Sequence, residues 1–146
     1  MKKFSAVLMA VLFASFTSAF AITPQQISEA MEEKGYTVVD VSDSMVAVSY
    51  RGLSVLIAVN GSDGDVSYLT YVEDVNADML GYELLNRFNN EVKFGRAYVD
   101  QDGDIAIQMD RNAVGGVTIE NIESDFDVFV SLVAKFISDV NNQVAV

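Results

Sequence analysis

Between Tyr36 and Val72 the apolar residues recur at every second position. Four β-branched and aromatic runs lie there: Tyr36-Thr37-Val38-Val39, Met45 to Tyr50, Leu53 to Val59 and Val66 to Val72. They are separated by Ser42-Asp43-Ser44, Arg51-Gly52 and Asn60-Gly61-Ser62-Asp63-Gly64-Asp65. A period of two bounded by turn residues predicts strands, and such short connections permit only antiparallel neighbours. Val46 and Val48 alternate with Ala47 and Ser49, so one covered face and one wetter face are expected. Leu53 to Val59 is apolar on both faces apart from Ser54, which places it centrally in a sheet.

On either side the period becomes helical. Thr23-Pro24-Gln25-Gln26 is a helix start: the Thr23 hydroxyl caps a free N–H, Pro24 has none to lose, and Gln26 completes a capping box. Ile27, Ala30 and Met31 form the apolar face, and Gly35 is the terminator. A second helix is expected from Asn76 or Asp78 through Leu80, Leu84, Leu85, Phe88 and Val92. Gly81 inside it suggests close packing against a neighbour. Asn86 and Asn89 near its end are expected to bond the next loop. A hairpin follows, Ala97-Tyr98-Val99 and Ile105-Ala106-Ile107, joined by an acidic turn. Gly115-Gly116-Val117-Thr118 then leads into a last helix carrying Ile119, Ile122, Phe126, Phe129, Val133, Phe136 and Val140. Val128, Val130, Leu132 and Ile137 widen its apolar stripe, as for a helix buried on two sides. The tail Asn141-Asn142-Gln143 is expected to fray.

The chain opens with Lys2 and Lys3, an apolar run from Phe4 to Phe16, and small residues ending Ala19-Phe20-Ala21. A charged start, a short apolar centre and an Ala-x-Ala site predict a secretory signal peptide over residues 1–21, cut after Ala21. Residues 22–146 are then one domain, periplasmic or secreted, with no membrane insertion after cleavage. With no cysteine, that domain is stabilised without disulfides. The formal charge of −12 becomes more negative still once Lys2 and Lys3 are removed. Such a surface repels phosphate-rich partners, so no nucleic acid is expected.

The chain has no His, Cys or Trp. That removes Ser-His and Cys-His nucleophilic sites and the commonest zinc ligands, and an enzyme is not expected. No cofactor is expected either. Asp100, Asp102 and Asp104 are the metal candidates. Aligning Gly103 and Ile105 with an EF-hand loop puts Tyr98 and Met109 where the two end carboxylates belong. An Asp-Gly turn explains the same letters, and a divalent-cation or small-ligand sensor at 100–104 is the alternative function.

Several motifs remain: Leu85-Asn86-Arg87-Phe88-Asn89, Phe94-Gly95-Arg96-Ala97-Tyr98-Val99-Asp100, Asp102-Gly103-Asp104-Ile105 and Gly115-Gly116-Val117-Thr118. In these the chain resembles the YbjN family of bacterial sensory transduction regulators, whose fold is similar to that of type III secretion chaperones. Many relatives carry Trp where Phe88 stands here. The resemblance brings no catalytic residues. It implies structural roles for Asn86, Phe88, Asn89, Phe94, Ala97, Tyr98, Asp102, Gly103, Gly115 and Gly116. Periodicity and resemblance together predict an α+β domain ordered helix, antiparallel meander, helix, hairpin, helix, with the helices on one face of the sheet. By analogy with the chaperones, a non-enzymatic binding or regulatory module that holds an unidentified protein partner is expected, with a homodimer formed through the last helix.

Overall fold

A computed structural model describes residues 21–144. The expected leader therefore lies outside the described residues, Ala21 excepted. The elements are α1 (Pro24–Glu33), β1 (Thr37–Val41), β2 (Met45–Tyr50), β3 (Leu53–Asn60), β4 (Asp65–Asn76), α2 (Ala77–Leu80), α3 (Tyr82–Glu91), β5 (Gly95–Val99), β6 (Asp104–Arg111) and α4 (Ile119–Val144). The six strands form one antiparallel sheet in the order β1-β2-β3-β4-β6-β5. The meander has four strands, and the hairpin joins it through β6, so β5 becomes an edge.

Register separates the two faces. Val48 opposes Val55, and Val46, Ile57, Tyr68 and Met109 follow one another across four strands. All six are buried in the core cluster. The opposite face carries Leu56, Leu69 and Gln108 in a second row, with Tyr71, Ala106 and Tyr98 in a third. The helices cover the first face: α1 lies over β1 and β2, α3 beside β5, and α4 touches α1, α3 and β6.

Local chemistry sets the helix ends. Thr23 and Gln26 form the expected reciprocal capping box at the start of α1, with Gln26 N–H donating to Thr23 Oγ1 and Thr23 N–H to Gln26 Oε1. At its end Gly35 takes φ +86°, and the N–H groups of Gly35 and Tyr36 bond Glu32 O and Met31 O, a Schellman closure. Gly81 behaves differently from the sequence expectation. With φ +71° and no atom of the other described residues within 4 Å of where a Cβ would stand, it divides the second helix into α2 and α3 instead of packing closely against a neighbour. The expected frayed tail is also corrected: α4 runs to Val144, and the Gln143 side-chain amide donates to Leu80 O at 2.6 Å.

The core joins three ring pairs to the sheet. Tyr36 meets Phe126 edge-on at 4.8 Å between centroids, Phe88 meets Phe136 edge-on at 5.1 Å, and Tyr68 lies tilted against Phe129 at 5.9 Å. Tyr68 is fully buried and donates its hydroxyl to Ile122 O at 3.3 Å. Burial holds that hydroxyl far above the ordinary tyrosine pKa, so it stays neutral and keeps donating. Tyr68→Phe is expected to lower stability by about 1 kcal/mol, the net worth of one hydrogen bond, measured by urea denaturation. An unchanged midpoint would mean that the bond contributes nothing net.

Candidate functional site

The two edges of the sheet differ. At β5, Ala97 points its N–H and C=O away from β6. The Asn89 side chain meets both: Ala97 N–H donates to Asn89 Oδ1 at 2.8 Å, and Asn89 Nδ2 donates to Ala97 O at 2.9 Å. The carboxamide thus mimics a neighbouring strand and closes the middle of this edge. It comes from the last turn of α3, which Phe88 anchors in the core, while Ala97 is 1% exposed. The sequence led one to expect Asn86 and Asn89 to bond the next loop; Asn89 instead reaches past that loop to strand β5, and Asn86, on the same helix, is exposed.

At β1 no described residue provides such a cover. The strand stands at the end of the sheet order and interrupts its own register between Val38 and Asp40, so Val39 bulges out 58% exposed and Val41 is 40% exposed. Between Tyr36 and Tyr50 the sequence holds two carboxylates, Asp40 and Asp43, and no cation.

The other motif residues occupy the hairpin and the joints around it. Phe94 is 78% exposed at φ +71°, an uncommon conformation for a bulky residue. It stands beside a groove of about 600 Å³ bounded by Lys93, Val128, Leu132 and Lys135. Next to it Gly95 allows close approach, since a Cβ there would come 2.6 Å from Leu132 Cδ1. Tyr98 lies half-buried under the Arg96 guanidinium, 5.4 Å from its ring centroid. In the acidic turn, Asp100 Oδ1 accepts the N–H groups of Asp102 at 2.9 Å and Asp104 at 3.0 Å, and Gly103 supplies φ +92°. One Asp100 oxygen therefore shapes the turn. No set of three or more Asp, Glu, His or Cys side chains among the described residues is arranged to hold a metal ion. Across the uncovered face, Tyr71 has its hydroxyl pKa raised, first by burial and then by the charge of Asp100. Gly115 and Gly116, at φ +92° and +99°, turn the chain into α4, whose first turn Thr118 and Asn121 cap reciprocally.

Arg111 and Asp125 escaped sequence reasoning. Arg111 Nε and Nη2 both donate to the Asp125 carboxylate, a bidentate pair joining the end of β6 to α4. That bond raises the guanidinium pKa further above its already high value. Nothing in periodicity or spacing marks two residues fourteen apart on different elements as partners.

A six-stranded antiparallel sheet with the helices on one face defines a mixed α+β domain. The chain belongs to the YbjN family: the family model, described as a putative bacterial sensory transduction regulator, matches residues 23–142. Among solved structures it is similar to YbjN of E. coli, a putative transcription regulator, at TM-score 0.68 and 13% identity over 86% of this chain and 96% of that one. It is also similar to the Yersinia pestis type III secretion chaperone SycH, solved in complex with a stable fragment of YscM2, at TM-score 0.54 and 17% identity over 79% and 97% of the two chains. No curated protein matches it significantly.

Proposed function

We propose that this chain is an exported, non-enzymatic module that takes an extended, apolar and non-acidic segment of a protein partner along β1. The difference between the sheet edges carries the reading. A strand can be added wherever backbone N–H and C=O groups stand free at an edge, without any special side chain. Asn89 occupies the middle of the β5 edge, whereas β1 offers exposed Val39 and Val41 for packing and Asp40 and Asp43 against acidic partners. A neighbour in fold, SycH, takes a fragment of another protein, which supports the same kind of use. A cation sensor at Asp100 to Asp104 has less support, because Asp100 Oδ1 already accepts two backbone amides.

Capture from periplasmic extract by the wild-type domain and by a Val39→Asp/Val41→Asp variant tests this, with hydrogen exchange on the captured complex. The expected result is a partner that binds in the presence of chelator, protects the amides of Thr37 to Val41, and is lost from the variant. Protection at Gly95 to Val99 instead, or calcium binding that disappears in Asp102→Asn with no protein captured, would replace this reading.

A further inference from the structure

Ala21, Ile22 and Thr23 straddle the expected cleavage site, and the fold engages each of them. Gly64 leaves room for Ala21: a Cβ on Gly64 would come within 3.1 Å of the Ala21 Cβ. Ile22 is 8% exposed and belongs to the core cluster. The Thr23 N–H is held by Gln26 Oε1 at 3.0 Å. Ala21 and Ile22 line a cavity of about 290 Å³ with the β3–β4 turn at Ser62, Asp63 and Gly64 and with the segment from Ala113 to Val117. Among the described residues, Asp63 is the only carboxylate of that lining.

A peptidase reads its substrate as an extended strand, with the backbone free on both sides of the bond to be cut. Here the residue after the bond is packed in the core and the next has its amide taken. We propose that the Ala21–Ile22 bond is cut only while this corner of the domain is open, and that the α-ammonium left on Ile22 then docks in the cavity against Asp63. This rests on the export reading. In the cut, water adds across the peptide bond: the carboxylate leaves on Ala21, and the amine stays on Ile22 and takes up a proton at neutral pH. Cleavage thus replaces a neutral amide by a cation beside the carboxylate, and closure of the corner over Ile22 is the step that follows export.

Two measurements test the proposal. Full-length protein, purified folded from the cytoplasm, is mixed with bacterial signal peptidase in detergent micelles, beside the same protein diluted into the mixture from urea. The diluted chain is expected to be cut after Ala21. The folded chain should be cut at least about tenfold more slowly, because cutting waits on local opening. Equal rates would overturn the order of events; no cut in either sample would remove the export reading and this proposal with it. In the mature form starting at Ile22, Nα-acetylation and Asp63→Asn are each expected to lower the melting temperature, and the two together no further than either alone. Insensitivity to acetylation, or fully additive losses, would overturn the docking of the ammonium.

Discussion

Asn89→Ala is expected to destabilise the domain by about 2–4 kcal/mol, because two backbone groups of a buried residue lose their partners at once. Ala97 is 1% exposed, and the Asn89 carboxamide both accepts from its N–H and donates to its C=O. Asn89→Asp separates the two bonds. It keeps an acceptor for the N–H but sets a carboxylate oxygen against Ala97 O, so it should recover little of the loss. Asn86→Ala, at an exposed position on the same helix, should stay within about 0.5 kcal/mol of wild type. Urea midpoints give the stabilities, and exchange at the Ala97 amide reports the edge itself. Opening β5 should also promote concentration-dependent association, since an uncovered edge is a template for another strand. If Asn89→Ala matches Asn86→Ala in stability and its Ala97 amide remains protected, the carboxamide is not what closes this edge.

The contrast between Asn89 and Arg111 shows where the sequence was legible. Features governed by a few consecutive residues were readable: the Thr23–Gln26 box, the Gly35 terminator and the Asp-Gly turn each follow from backbone geometry at fixed offsets. The alternation that put Val46, Val48, Val55 and Ile57 inside is of the same kind, since burying one face of a strand fixes every second residue. Asn89 was half legible, because a helix-end asparagine before a strand has a short list of uses. Arg111 with Asp125, the pairing of β6 rather than β5 with β4, and the exposure of Phe94 depend on how distant elements dock. Gly81 was misread for a related reason. A glycine within a helical pattern marks either close packing or a break, and the surroundings that decide lie elsewhere in the chain.

Phe129→Ala is expected to cost about 3–5 kcal/mol, the range for removing a ring from a closed core. Phe129 is fully buried, with its ring centroid 5.9 Å from that of Tyr68, so its loss opens a cavity between α4 and the sheet that neither can collapse to fill. A charged residue there would prevent folding, so it says nothing about association. Self-association through α4 has to be tested elsewhere, because much of the surplus stripe already has partners within the chain. Val130 and Leu132 are 7% and 8% exposed, and the segment that leaves α1 reaches α4 through the Tyr36–Phe126 ring contact and the Lys34–Asp127 ion pair at 2.9 Å. What stays accessible is the groove where half-buried Val128 faces Phe94. Val128→Asp with Phe94→Ser should cost about 1–3 kcal/mol of stability, more than an ordinary surface change because Val128 packs partly against the core, and still leave the domain folded. Light scattering at micromolar concentration then separates the cases. A wild-type dimer that this pair of substitutions dissociates would place the interface on α4, and a wild-type particle of one-chain mass would mean that the chain's own α1, α3 and sheet are cover enough for α4.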